Sequence, residues 1–173
     1  GVMGYPMAGH LHLAGHKVSV YNRSTAKSIA FQAEYVGATH GLTPKLAVQD
    51  ADIVFCCVGN DDDLRSVILG TNGDGSGALA GMKKGAILVD HTTASADIAR
   101  EQYAAAKAMG LHFVDAPVSG GQAGAQNGLL TVMCGGDQAA FDAVQPTAMA
   151  FSRAFTRMGE AGAGQLTKMV NQI

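Results

Sequence analysis

Gly1-Val2-Met3-Gly4 has the spacing of the last four positions of a G-x-G-x-x-G fingerprint. In that motif the second glycine lets the backbone approach a pyrophosphate, and the third lets a helix pack on its strand. The phosphate then rests on a helix N-terminus, where free N–H groups and the helix dipole meet it. This reading places the first glycine and its strand ahead of residue 1. Asn22-Arg23-Ser24 follows the next β-rich run, where such a fold meets the adenosine ribose. Sites selective for NAD usually offer an acid there for the ribose 2′-OH. Here the pair is Asn22 and Arg23. Asn22 can bond a ribose hydroxyl, and the Arg23 guanidinium can pair with a 2′-phosphate or stack on adenine. These residues point to a nicotinamide dinucleotide as cofactor, with NADP preferred to NAD.

Positioning such residues requires strands that alternate with helices. Residues 3–14 read as a helix stopped by Gly15, and 17–21 as a short strand. Ser24 is placed to cap a helix reaching about Tyr35, and Thr43-Pro44 opens a short one. The apolar run 52–58 reads as a strand covered on both faces. Asn60 and three aspartates then precede a helix, where negative charge suits the positive end of the dipole. Residues 70–81 read as loop, 86–90 as a buried strand, 96–109 as a helix and 111–115 as a strand. A glycine-rich loop over 116–128 follows. The strand 129–134, the helix 138–149 and a last strand over 152–156 complete the series. Strands and helices alternate, with connections too long for hairpins. That predicts an α/β, Rossmann-type doubly wound, mainly parallel sheet with helices on both faces. Residues 1–160 form one dinucleotide-binding domain in this reading. Residues 161–173 start a helix that belongs to a second domain.

The chain has 173 residues, 47% of them hydrophobic, enough for one domain with a substantial core. Its 12 basic and 14 acidic residues lack the basic excess that a nucleic-acid or acidic-membrane surface needs. No run is apolar and long enough to span a bilayer. Three cysteines without a paired spacing suit a reducing compartment. The expected location is the cytoplasm, or the mitochondrial matrix if a leader has been removed.

Four stretches together resemble the β-hydroxyacid dehydrogenase family, which includes 3-hydroxyisobutyrate dehydrogenases and tartronate semialdehyde reductases. They are Gly1-Val2-Met3-Gly4 with Pro6-Met7-Ala8; Asn22-Arg23-Ser24; Asp115-Ala116-Pro117-Val118-Ser119-Gly120-Gly121; and Gly162-Ala163-Gly164 followed by Lys168-Met169-Val170-Asn171-Gln172. The resemblance covers the whole chain, and it implies that residues 161–173 start a long interdomain helix leading to an all-helical domain. It implies that hydride moves between NADP(H) or NAD(H) and a small hydroxy acid. It also implies that Ser119, Gly120 and Gly121 hold the substrate carboxylate. Consecutive N–H groups of a glycine-rich turn form a concave anion site, and a serine hydroxyl adds a donor. Lys168 matches the family's catalytic lysine. Such a group accepts the alcohol proton on oxidation and returns it on reduction, provided burial or a nearby cation lowers its pKa. Asn171, three residues on and hence on the same helical face, matches the substrate-orienting asparagine. Val58-Gly59-Asn60 resembles the loop that brackets the adenosine and ribose, although many members carry a proline near Gly59. Thr93 matches a threonine beside the nicotinamide ribose.

Two other readings compete. One is a non-catalytic NAD(P)-binding module that acts as a sensor or interaction unit. The other is an imine reductase, which resembles this fold but usually replaces the lysine; Lys168 argues against it. 6-Phosphogluconate dehydrogenase is also related, but the phosphate ligands it needs are not identifiable in this sequence. His10, His12 and His16 read as surface or packing residues, with His12 and His16 on one helical face, and no acid or cysteine completes a metal set. Cys56 and Cys57 read as small core residues, and His91 as a neighbour of the cofactor loop. Leu166, Met169, Val170 and Ile173 on the last helix are expected to pack on a second domain or a partner subunit, giving a homo-oligomer in the intact protein.

Overall fold

A computed structural model describes residues 1–172. Its main sheet has parallel strands β3 (Ile53–Cys56), β4 (Ile87–Asp90) and β5 (His112–Asp115). Strand β7 (Leu130–Gly136) lies antiparallel to β5 and to the two-residue β6 (Val118–Ser119), and β8 (Ser152–Gly159) runs parallel to β7. A separate parallel pair joins β1 (Ser19–Val20) to β2 (Thr39–His40). The helices are α1 (Gly4–Leu13), α2 (Thr25–Glu34), α3 (Pro44–Ala47), α4 (Asp61–Leu69), α5 (Ala96–Ala108), α6 (Gly121–Gln126), α7 (Gln138–Ala148) and α8 (Ala163–Asn171).

Successive strand residues point to opposite faces, so each central strand feeds two cores. Ile87, Val89 and Val114 face one cluster with Met7, Val132, Phe151 and Phe155. Leu88 and Phe113 face the other with Leu64, Ile68 and Ile98. Val18, before β1, packs on the first cluster and Tyr21, after it, on the second. The small sheet therefore shares the layers of the large one. Helix starts follow local chemistry. The Thr43, Asn60 and Ser95 side chains accept the N–H groups of Leu46, Asp63 and Ile98.

The α/β, mainly parallel architecture is the expected one, and several details differ. The expected strand over 17–21 is paired only at Ser19 and Val20, and β2 was not anticipated, because two-residue strands carry no readable alternation. Strand β3 is half-buried at Ile53, Val54 and Phe55 rather than covered on both faces, because it pairs only with β4. The loop expected over 116–128 contains β6 and α6. The loop over 70–81 carries two short 3-10 turns, Thr71–Gly73 and Ala78–Ala80. Ser24 stands at the N-cap of α2, but its side chain makes no capping bond. His16 lies beyond the end of α1, so it shares no helical face with His12. His12 packs edge-on against Tyr35 instead. Leu166, Met169 and Val170 are exposed on α8, and Ile173 lies outside the described residues.

Candidate dinucleotide and substrate site

The loops that leave the carboxyl ends of β3, β4 and β5 form one wall, where ligands bind in sheets of this kind. The Val58 N–H donates to Thr92 Oγ1 at 3.1 Å, which ties the loop after β3 to the loop after β4. Asp61 completes the tie: its carboxylate accepts the Ser95 N–H at 3.1 Å and the Ser95 hydroxyl at 2.7 Å. An open groove runs along this seam, bordered by residues 59–62 of the first loop and by Thr93, Ala94 and Ser95 of the second. Three of the residues expected at the cofactor, Gly59, Asn60 and Thr93, therefore lie on one groove.

Gly1, Val2 and Met3 lead into α1, which starts at Gly4 without a side-chain cap. A Cβ on Gly4 would sit 4.0 Å from the Cys57 Cβ, so this helix starts beside the end of β3. The Asn22 amide donates to Ser24 O at 3.0 Å, and Arg23 Nη1 donates to Asp63 Oδ1 at 3.4 Å. Asp63 belongs to the first turn of α4, so this pair draws the Asn22–Ser24 loop towards the Val58–Asn60 loop. An uncapped helix start, an exposed guanidinium and an open groove between two strand-end loops fit a dinucleotide. A pyrophosphate at this helix start would meet Gly1, Val2 and Met3, and an adenosine ribose would lie towards Asn22 and Arg23.

Ser119 ends β6, half-buried, and Gly120 and Gly121 follow with φ of 126° and 58°. Both glycines are in the positive-φ region that consecutive N–H groups need to converge. Lys168 and Asn171 share one face of α8, with Lys168 half-buried and Asn171 exposed.

The junction that carries α8 was not foreseen. Asp115, fully buried at the end of β5, accepts the N–H of Gly162 at 2.7 Å and of Gln165 at 3.0 Å. Gln165, also buried, reaches the loop after β4. Its Oε1 accepts the Ala94 N–H at 3.1 Å and its Nε2 donates to Thr92 O at 2.7 Å. The helix of Lys168 is thus clamped to β5 by Asp115 and to the loop of Thr93 by Gln165. Asp115 was legible only as part of its motif. Nothing in the sequence marks Gln165, because its partners lie more than seventy residues away.

Two buried titratable groups sit behind the wall. Burial, reinforced by the nearby Asp115 and Asp61, pushes Asp90 up to about 7 against the opposing hydrogen bonds from Thr92. Burial lowers His91 to about 4, so its ring is neutral. Its Nδ1 donates to Ala116 O at 2.6 Å, and the ring stacks on Phe55. His91 therefore packs the floor beneath the loop. Cys56 is a core residue, whereas Cys57 lies past the strand end and is only partly buried.

Residues 1–159 match the family described as the NAD binding domain of 6-phosphogluconate dehydrogenase. The chain is 61% identical over 173 residues to an uncharacterized oxidoreductase of Shewanella frigidimarina, covering all of this chain and 58% of that protein. It is 40% identical to a probable mitochondrial 3-hydroxyisobutyrate dehydrogenase-like protein of Arabidopsis thaliana, covering all of this chain and 52% of the relative. The fold superposes on Mycobacterium tuberculosis 3-hydroxyisobutyrate dehydrogenase, solved with L-serine, with a TM-score of 0.88 and 30% identity. That match covers 99% of this chain and 56% of the solved one. The chain thus spans little more than half the length of the relatives it matches. With the family model matching residues 1–159, the chain belongs to the family of the NAD-binding domain of 6-phosphogluconate dehydrogenase.

Proposed function

We propose that residues 1–160 bind NADP(H) in preference to NAD(H), and that residues 161–173 start a helix linking this domain to a further one. The protein built on it transfers a hydride between that cofactor and a small β-hydroxy acid or semialdehyde, of the 3-hydroxyisobutyrate or tartronate semialdehyde type. The observation that carries this reading is the Asp115–Gln165 clamp, which fastens the Lys168 helix to the Thr93 loop beside the groove.

Gly1, Val2 and Met3 hold the pyrophosphate, while Asn22, Arg23 and Ser24 take the adenosine ribose and its 2′-phosphate. Val58, Gly59 and Asn60 bracket the adenosine side, and Thr93 lies beside the nicotinamide ribose. The bound nicotinamide supplies hydride acceptance or donation. Ser119 Oγ and the Gly120 and Gly121 N–H groups hold the substrate carboxylate. The Asn171 amide orients the substrate hydroxyl, and Lys168 Nζ takes its proton on oxidation and returns it on reduction. The exposed Leu166, Met169 and Val170 pack on the further domain or on a second subunit of a homo-oligomer. Free thiols at Cys56, Cys57 and Cys134 support a cytoplasmic location.

Calorimetric titration of the longer protein with NADPH and NADH tests the binding half. Failure to bind either overturns it. In the longer protein, Lys168→Ala is expected to lower turnover by at least about a hundredfold with cofactor affinity retained. Unchanged turnover overturns the role of Lys168 and favours a non-catalytic binding module.

A further inference from the structure

Arg23 is an exposed cation on the loop after β1, which the proposed reading places at the adenosine ribose, and it already has a partner. Its Nη1 lies 3.4 Å from Asp63 Oδ1. Asp63 is held in place by its surroundings. Its N–H donates to Asn60 Oδ1 at 2.9 Å, and Asn60 Nδ2 lies 3.4 Å from Asp63 Oδ2. A Cβ built on Gly59 would fall 2.8 Å from that same Oδ2, so the carboxylate lies over the Gly59 backbone. The other two acids of the run are occupied elsewhere. Asp61 accepts from Ser95, and Asp62 pairs with Arg65 at 3.4 Å. Asp63 alone of the three turns towards Arg23 among these pairs.

We infer that Asp63 limits the preference for NADP(H) by occupying Arg23 with a carboxylate at the place where a 2′-phosphate would bind. The inference rests on the dinucleotide reading proposed above. A phosphate monoester near neutral pH carries between about one and a half and two negative charges. To reach Arg23 it must displace a fixed carboxylate and then lie beside it, which like charges oppose. A 2′-hydroxyl meets no such opposition, since it is neutral and can donate to the Asp63 carboxylate. Arg23 thus recruits the phosphate while Asp63 holds that recruitment down. NADH binding is maintained without an acid at the end of the preceding strand.

The test is titration of the longer protein with NADPH and with NADH. The variants are the parent, Asp63→Asn and Asp62→Asn, at low and at high salt. Asn keeps the backbone N–H bonded to Asn60 and nearly the same shape. In Asp63→Asn, NADPH affinity is expected to rise about three- to tenfold while NADH affinity stays level or falls by about twofold. The gain should shrink in high salt, as an exposed charge effect must. Asp62→Asn removes an equal charge one residue away and should move the NADPH-to-NADH ratio by less than about twofold. An unchanged ratio in Asp63→Asn overturns the inference while leaving the dinucleotide reading intact. An equal shift in Asp62→Asn also overturns it, because net charge rather than the Arg23 pair would then be responsible. Binding of neither cofactor by the parent overturns the dinucleotide reading, and this inference with it.

Discussion

Asp115 at the end of β5 accepts the backbone N–H of Gln165 in the first turn of α8 at 3.0 Å, inside a fully buried junction. The same carboxylate accepts from Gly162, so a single side chain serves two helix-start donors that would otherwise lie unpaired. Removing it should cost more than one ordinary hydrogen bond, because buried donors left without partners bear a desolvation penalty. Asp115→Ala is expected to destabilise the chain by about 2–4 kcal/mol, and Asp115→Asn by less, since its carbonyl oxygen still accepts. Urea unfolding measures both. A cost below about 0.5 kcal/mol for the alanine variant would show that α8 is held by other contacts.

Gly164 offers a test in which two effects oppose each other. Replacing a helical glycine with alanine ordinarily gains about 1 kcal/mol. Here a Cβ would fall 2.4 Å from Met133 O and 2.8 Å from Asp115 Oδ2. Backbone and a fixed carboxylate cannot move aside cheaply, so overpacking wins. Gly164→Ala should lose roughly 1–3 kcal/mol in the same unfolding measurement. A gain in stability would mean that α8 sits further from β7 than described.

Asp90 gives the chain a pH dependence of definite sign. Its carboxyl is pushed up to about 7 by burial. The folded state therefore holds a proton that the unfolded chain releases near its ordinary value. The stabilisation is full below the unfolded pKa and is lost as pH rises through about 7. Asp90→Asn, which keeps an oxygen for the Thr92 N–H, should remove this dependence. Its stability relative to the parent should rise between pH 4 and 8, by an amount on the order of 2–4 kcal/mol. Unfolding midpoints of the two proteins across that range decide it; parallel curves would exclude Asp90 as the source.

The thiols should be inert in the folded chain. Burial pushes Cys56 and Cys134 well up, and Cys57 to about 11. Since the thiolate is the reacting form, a disulfide reagent at pH 8 should label the native protein slowly at all three positions. It should label them quickly in denaturant. Rapid native labelling at Cys57, the one of the three that is only partly buried, would show an open β3 end.

Local chemistry made part of this protein readable. Asn60 ahead of three aspartates marks a helix start because the cap and the dipole act within one turn. The apolar run ending at Asp90 reads as a central strand because its neighbours on both faces exclude water. The glycines at 120 and 121 mark a tight turn because only glycine takes those backbone angles without strain.

What the chain order could not reveal depends on partners distant in sequence. Strand β7 has the same apolar pattern whether it pairs parallel or antiparallel; its direction is set by hydrogen bonds to Val114 and Asp115. The pairs β1–β2 and β6–β7 involve strands of two residues, too short for any period to show. Arg23 reads as a free cation in sequence, and becomes a paired one only when α4 brings Asp63 to it across forty residues. Gln165 is one polar residue on a helix until the fold buries it against Thr92 and Ala94. The types of the groups that bind and react are local properties of the chain. Their distances, burial and pairing arise only when the sheet brings separate loops to one edge.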